Sequence, residues 1–184
     1  CLYGSGHVFK MEDMTILSRW FRCLRLMKLN TLRNRCTWKK RSKIIAGKKN
    51  GYVSEERLKG IRRLAREKGL KLLVRNGEFS ELRARNITFQ NAKNKDVVVC
   101  ASDLMAIGAM RALMEMDIFR PVCGFDGITL MGYAGKQMNT VRQDFAGVSA
   151  AAVEELHRLM EGGEGRNHVL DYHIVMMKYM DIIC

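Results

Sequence analysis

From residue 42 onward, short apolar runs alternate with longer stretches of helical periodicity, and no other feature narrows the fold as sharply. SKIIAG (42–47), LKLLV (70–74), VVVCA (97–101) and VCGF (122–125) are apolar on both alternating faces, as strands covered on two sides are. After the first run, Leu58, Ile61, Leu64 and Ala65 recur at helical spacing. Ser54 is the expected N-cap of that helix, Glu55 and Glu56 suit its first turn, and Gly69 is its expected stop. After the third run, Ser102 and Asp103 precede a helix carrying Leu104, Ile107, Met110 and Met114 on one face. Residues 147–161 read as a further helix ended by Gly162 and Gly163, and HVLDYHIVMM (168–177) reads as a last strand. Strands of this length alternating with such helices predict an α/β fold, a mainly parallel sheet with helices on both faces.

In sheets of this kind ligands sit beyond the carboxyl ends of the strands. Three of the strands end on polar residues: Ser102-Asp103 after the third, Asp126 after the fourth, and Gln143-Asp144 after NTV (139–141). The stretch NTVRQDF (139–145) pushes Arg142, Gln143 and Asp144 off the end of an apolar strand and closes on Phe145. Each residue also has a bland reading. Ser102 or Asp103 can be a helix cap, Asp126 a turn residue before Gly127, and Phe145 core packing. Their recurrence at corresponding positions of successive units favours a shared site.

Charge is unevenly placed. The chain carries a net +13, yet residues 19–49 alone hold twelve Lys or Arg and no Asp or Glu, leaving the remainder near neutral. Such a run is either a solvated face or a phosphate-contacting surface. Residues 16–32 read as a basic amphipathic helix with Leu17, Phe21, Leu24 and Met27 on one side. Both tryptophans, Trp20 and Trp38, fall in this region, and glycine is absent between Gly6 and Gly47. Six cysteines form no CxxC pair, and Cys100 and Cys123 sit inside apolar runs as small buried hydrophobes. His168 and His173 point to opposite faces of their strand, so no zinc site and no other cofactor is expected. No GxSxG, HExxH or phosphate-loop pattern is present, and YGSGH (3–7) is too short for one, so an enzyme is not expected. No apolar run reaches the ~18 residues of a membrane span, and the N-terminus lacks the layout of a signal peptide. A cytoplasmic location without a membrane partner is the expectation.

Several stretches, in order, resemble the effector-binding domain of LacI/GalR-type transcriptional regulators. DVVVCASDLMAIGAMRALMEM is similar to the family's strand–helix unit, VCGFDGI to its GfDd strand, and NTVRQDF to its TTVrQ segment. KIIAGKKNGYVSEERLKGIRRLAREKGL and GEFS (77–80) resemble earlier motifs, so the likeness covers about residues 42–177. It implies a type I periplasmic-binding-protein-like fold, with mostly the C-terminal lobe present, that binds a sugar-like or purine-like effector and forms a homodimer. Carried over by motif, Arg57 would donate hydrogen bonds to the effector and Phe79 would be its aromatic platform. Ser102 stands at the family's usual Asn, Asp126 would accept from effector hydroxyls, and Gln143 and Phe145 would lie at the cleft edge. A carboxylate and a guanidinium read vicinal hydroxyls by directional, charge-assisted bonds, and an aromatic face covers the C–H side of a ring.

The pattern also departs from the family. Ser102 replaces an amide, Gly127 stands where a second Asp is common, and the opening elements of the N-terminal lobe have no counterpart. No stretch matches the family's helix-turn-helix, so operator DNA is expected to be bound only through a head outside these residues. Residues 1–41 read as an atypical basic segment, frameshifted or divergent, and residues 42–184 as a partial effector-binding and dimerisation domain. Two other functions compete with the regulator core: a periplasmic-type sugar-binding protein of the same fold, and a nucleic-acid-binding module acting through residues 19–49.

Overall fold

The structure, a computed structural model, describes residues 41–128 and 139–175. The basic stretch through residue 40, the helix expected over 16–32, and the end of the last expected strand lie outside the described residues. The elements run β1 (Arg41–Ala46), α1 (Tyr52–Lys68), β2 (Lys71–Asn76), α2 (Glu81–Asn91), β3 (Val97–Cys100), α3 (Asp103–Glu115), β4 (Val122–Cys123), β5 (Thr140–Gln143), α4 (Phe145–Met160) and β6 (Tyr172–Val175).

Strands β1 to β4 form one parallel sheet in the order β2-β1-β3-β4. The chain leaves β1 towards one edge and returns past it to β3. Right-handed crossovers therefore place α1 on one face and α2 and α3 on the other. β5 continues from the end of β4 through single parallel bridges, Cys123 to Asn139 and Asp126 to Arg142. It then pairs antiparallel with β6. The expected mainly parallel sheet is present, with this antiparallel pair beside it.

The core lies between the sheet and the α2–α3 pair. Ile45, Val98, Cys100, Met105, Ala106, Ala109, Leu113 and Val122 form it with Ala84 and Ala92. Cys100 and Cys123 are buried free thiols, as the apolar runs around them required. The two helices approach closely at Gly108, where a Cβ would sit 2.1 Å from the Glu81 carbonyl oxygen. Ion pairs Arg85–Glu115 and Arg111–Glu81 flank that crossing.

Two sequence readings are corrected, and two features went unread. Helix α1 begins at Tyr52 with Gly51 as N-cap, so Ser54 lies inside the first turn, buried, rather than capping it. Leu104 and Met114 of α3 are exposed, while Met105, Ala106, Ala109, Ala112 and Leu113 face the core. Because α3 is apolar nearly all round, its sequence does not say which side is inward. Helix α2 carries no apolar stripe: its buried residues are Ala84 and Thr88, the latter returning its hydroxyl to the Ala84 carbonyl, and periodicity gave no sign of it. Lys43, in a run read as a buried strand, is itself fully buried, and its Nζ donates to the Ile87 carbonyl at 2.5 Å. Desolvation pulls this amine down to about 8.

Candidate functional site

The carboxyl edge of the parallel sheet carries the polar residues. Between β1 and β3 the chain's direction of travel reverses, the position at which open α/β sheets place ligands beyond their strand ends. Arg57, early in α1, reaches this edge: its Nη1 donates to the carbonyl of Ala101, just past β3. Its Nη2 donates to Asp126 Oδ1 at 3.0 Å. Gln143 Nε2, at the end of β5, donates to the same oxygen at 2.8 Å. Three residues that the sequence singled out, from three separate segments, thus meet on one carboxylate. The guanidinium also lies over the Phe125 ring, 3.9 Å from its centroid. Nothing in the sequence marked Phe125 for this role beyond its place in the apolar run VCGF.

Backbone geometry aims Asp126 at its partners. Its N–H donates to the Val141 carbonyl at 2.9 Å, and its own carbonyl accepts from the Gln143 N–H at 3.2 Å. Its φ of +118° is unusual for a residue with a side chain, and Gly127 follows at +76°. Such strain persists where surrounding contacts over-determine it, and it concentrates at functional sites. Burial pushes the Asp126 carboxyl above its ordinary pKa, and Arg57 and Gln143 pull it back. Burial also lowers Arg57, against the opposing pull of Asp126. Desolvation therefore outweighs pairing on both sides. Arg57 Nε and Ser54 Oγ are buried with no hydrogen-bond partner among the described residues.

The other three residues are placed differently. Phe79 is half-buried at a φ of +55° and packs on the core. Its ring lies over Gly47 at the end of β1, where a Cβ would be 2.2 Å away, so it sits on the same sheet edge as the cluster. Ser102 is buried and serves as the N-cap of α3, accepting from the Met105 N–H at 3.3 Å. Phe145 is the first residue of α4 and is half exposed, not packed in the core. Asp144 caps that helix, accepting from the Gly147 N–H at 2.9 Å. Sequence reasoning also passed over Asp103. It treated the residue as a possible cap, yet its carboxylate accepts from the Thr140 hydroxyl at 2.6 Å and the Ile128 N–H at 2.8 Å.

The arrangement supplies an acceptor carboxylate, a cationic donor, an amide and nearby aromatic faces, which suits holding a small polar molecule. Among the described residues no group of three or more His, Cys, Asp or Glu could hold a metal ion. No described helix is long and apolar enough to cross a membrane.

Comparison with known proteins fits this geometry. Residues 40–175 match the periplasmic binding protein-like domain. The HTH-type transcriptional regulator MalR of Streptomyces coelicolor is 40% identical over 63 residues, 32% of this chain and 18% of that protein. The regulator reg1 of Streptomyces lividans matches to the same extent. Among solved structures, a dimeric Lac repressor with an 11-residue C-terminal deletion superposes with a TM-score of 0.67 at 23% identity, covering 74% of this chain and 53% of that one. An ABC transporter periplasmic solute binding protein from Actinobacillus succinogenes 130z with bound D-allose gives 0.65 at 26% identity, covering 73% and 51%. This chain therefore spans about half the length of the solved chains it matches.

Proposed function

The chain belongs to the periplasmic binding protein-like domain family, and we propose that it is the effector-sensing and dimerising core of a LacI-type cytoplasmic transcriptional regulator. The observation that carries this reading is the convergence of Arg57, Asp126 and Gln143 on one oxygen at the sheet's switch point. Both hydrogen bonds land on Oδ1, which leaves Oδ2 for an effector hydroxyl. A sugar-like ligand would offer vicinal hydroxyls to this pair, and a purine-like one would offer ring nitrogens and a face for Phe79. Ser102 is a weaker candidate than its position in the motif implies, because its hydroxyl already caps α3.

Effector binding that favours one arrangement would shift the spacing of attached DNA-binding heads, and so operator affinity. Dimerisation is proposed at the outer side of α2 and α3, where Leu82, Leu104 and Met114 are exposed. Leu104→Glu is expected to convert a dimer to a monomer in sedimentation velocity. A dimer unchanged by that variant would move the interface elsewhere. The solute-binding alternative is supported by the likeness to the protein with bound D-allose. The regulator reading is preferred because the stretch of 40% identity is shared with regulators.

Thermal-shift screening of the full chain against sugars and nucleobases would identify the ligand class, since a ligand that binds only the folded state raises its melting temperature. Asp126→Asn then tests the site. Asparagine tolerates positive φ better than alanine and keeps the shape, so the variant removes mainly the charge. Affinity is expected to fall roughly 10- to 100-fold, the worth of a hydrogen bond to a charged group. Unchanged affinity in calorimetry would remove Asp126 from the site.

A further inference from the structure

We propose that Asp103 is a positioning residue for the cleft: its buried carboxylate pins the turn at Asp126–Ile128 to β5 and so sets where Asp126 meets Arg57 and Gln143. The inference rests on the ligand-cleft reading above but is carried by separate contacts. Asp103 is fully buried, so it is not itself open to a ligand. Its Oδ2 accepts from the Ile128 N–H at 2.8 Å and its Oδ1 from the Thr140 hydroxyl at 2.6 Å. The Gly127 N–H is a further donor to it. Its own N–H donates to the Phe125 carbonyl at 2.7 Å. One residue at the start of α3 therefore holds both sides of the Asp126 backbone, Phe125 through its own N–H and Gly127 and Ile128 through its carboxylate, and that carboxylate holds the strand that carries Gln143 as well.

The packing leaves that carboxylate little freedom. A Cβ on Gly124 would lie 2.0 Å from Asp103 Oδ1, so the chain before Asp126 passes directly against it. Asp126 holds a positive φ, a conformation that a residue with a side chain keeps only with external support. Ala101, whose carbonyl receives Arg57 Nη1, is two residues away in sequence. All three members of the cleft cluster are thus referenced to the stretch at the end of β3. Burial pushes the Asp103 carboxyl above its ordinary pKa, and the donors from Thr140, Ile128 and Gly127 pull it back. An amide in its place presents N–H groups to one of those donors and breaks the clip without changing volume.

The test is Asp103→Asn in the full chain, read by amide hydrogen exchange and by ligand titration. The amides of Asp126, Ile128 and Gln143 are expected to lose at least tenfold in protection, while those of Ile44 and Ile45 in β1 keep theirs. Affinity for the strongest binder among the D-hexoses, D-pentoses and purine bases of the screen is expected to weaken at least tenfold. Thr140→Val, which removes one donor and keeps the shape, is expected to produce the same local pattern at smaller size. Equal loss of protection at every amide would reduce Asp103 to a general stabiliser and overturn the proposal, as would unchanged protection at Asp126 and Gln143. Local loss with unchanged affinity would overturn it too. Should Asp103→Asn fail to fold, Thr140→Val decides by the same criteria. If the unaltered protein binds nothing in the screen, the effector reading fails while the exchange measurement still judges the clip.

Discussion

Helices α3 and α4 are of similar character in sequence and opposite in circumstance. Both are rich in alanine and large aliphatic residues, and both start on a side-chain cap, Ser102 for α3 and Asp144 for α4. Helix α3 buries Met105, Ala106, Ile107, Gly108, Ala109, Ala112 and Leu113, whereas α4 has no buried residue at all. Along α4, Phe145, Leu156 and Leu159 recur at helical spacing and, with Val153 and Met160, remain exposed. A helix can therefore be complete in its local chemistry and still have its apolar face unmatched among the described residues. Local propensity and capping supply tenths of a kcal/mol per residue and about 1 kcal/mol per cap, while the larger contribution comes from packing.

Substitutions test this contrast. The largest effect is expected at Gly108→Val. The added atoms meet the Glu81 backbone, which cannot rotate aside as a side chain would, so a loss of more than about 4 kcal/mol in denaturant unfolding is expected. A loss under about 1 kcal/mol would mean that α2 and α3 are not held as closely as they stand here. Next comes a direct pair. Ile45→Ala, at a fully buried position of β1, should cost ~3 kcal/mol, and Leu156→Ala, half exposed on α4, should stay within ~0.5 kcal/mol. A Leu156 cost near that of Ile45 would show that the α4 stripe is covered in solution, and the contrast between the helices would collapse.

A substitution in β1 has the opposite sign. Lys43 is fully buried and its pKa falls from 10.5 to about 8 because burial disfavours the charged amine. The folded state then holds fewer protons than the unfolded state between those values, so stability rises with pH across that window. The penalty is fully present below pH 8. Lys43→Met should gain on the order of 1–2 kcal/mol at neutral pH and flatten the slope, since Asn91 still donates to the Ile87 carbonyl that Lys43 would vacate. A variant less stable at pH 7, with the slope intact, would show that the amine contributes to the core rather than straining it.

Much of this architecture was legible beforehand because its cause is local. Apolar runs at β1, β2 and β3, Gly69 in the left-handed conformation at the end of α1, and the Ser102 cap all follow from chemistry within a few residues. Arg57, Asp126 and Gln143 were named from their motifs, and the fold brought them together. Ser54 was misread because a serine two positions into a helix looks the same in sequence as one just before it. Helix α2 was missed because alanine and threonine make a buried face that hydrophobic periodicity does not register.

What the amino-acid order determined by itself was the alternation of strands and helices, and with it a parallel sheet whose carboxyl edge gathers polar residues. Long-range packing settled which side of α3 faces inward, that Phe125 underlies Arg57, that Lys43 lies in the core, and that Asp103 turns its carboxylate on the Asp126 turn. The physical reason is range: periodicity and caps act over one helical turn, but a contact such as Asp103 to Thr140 spans 37 residues and exists only once the sheet has set both segments side by side.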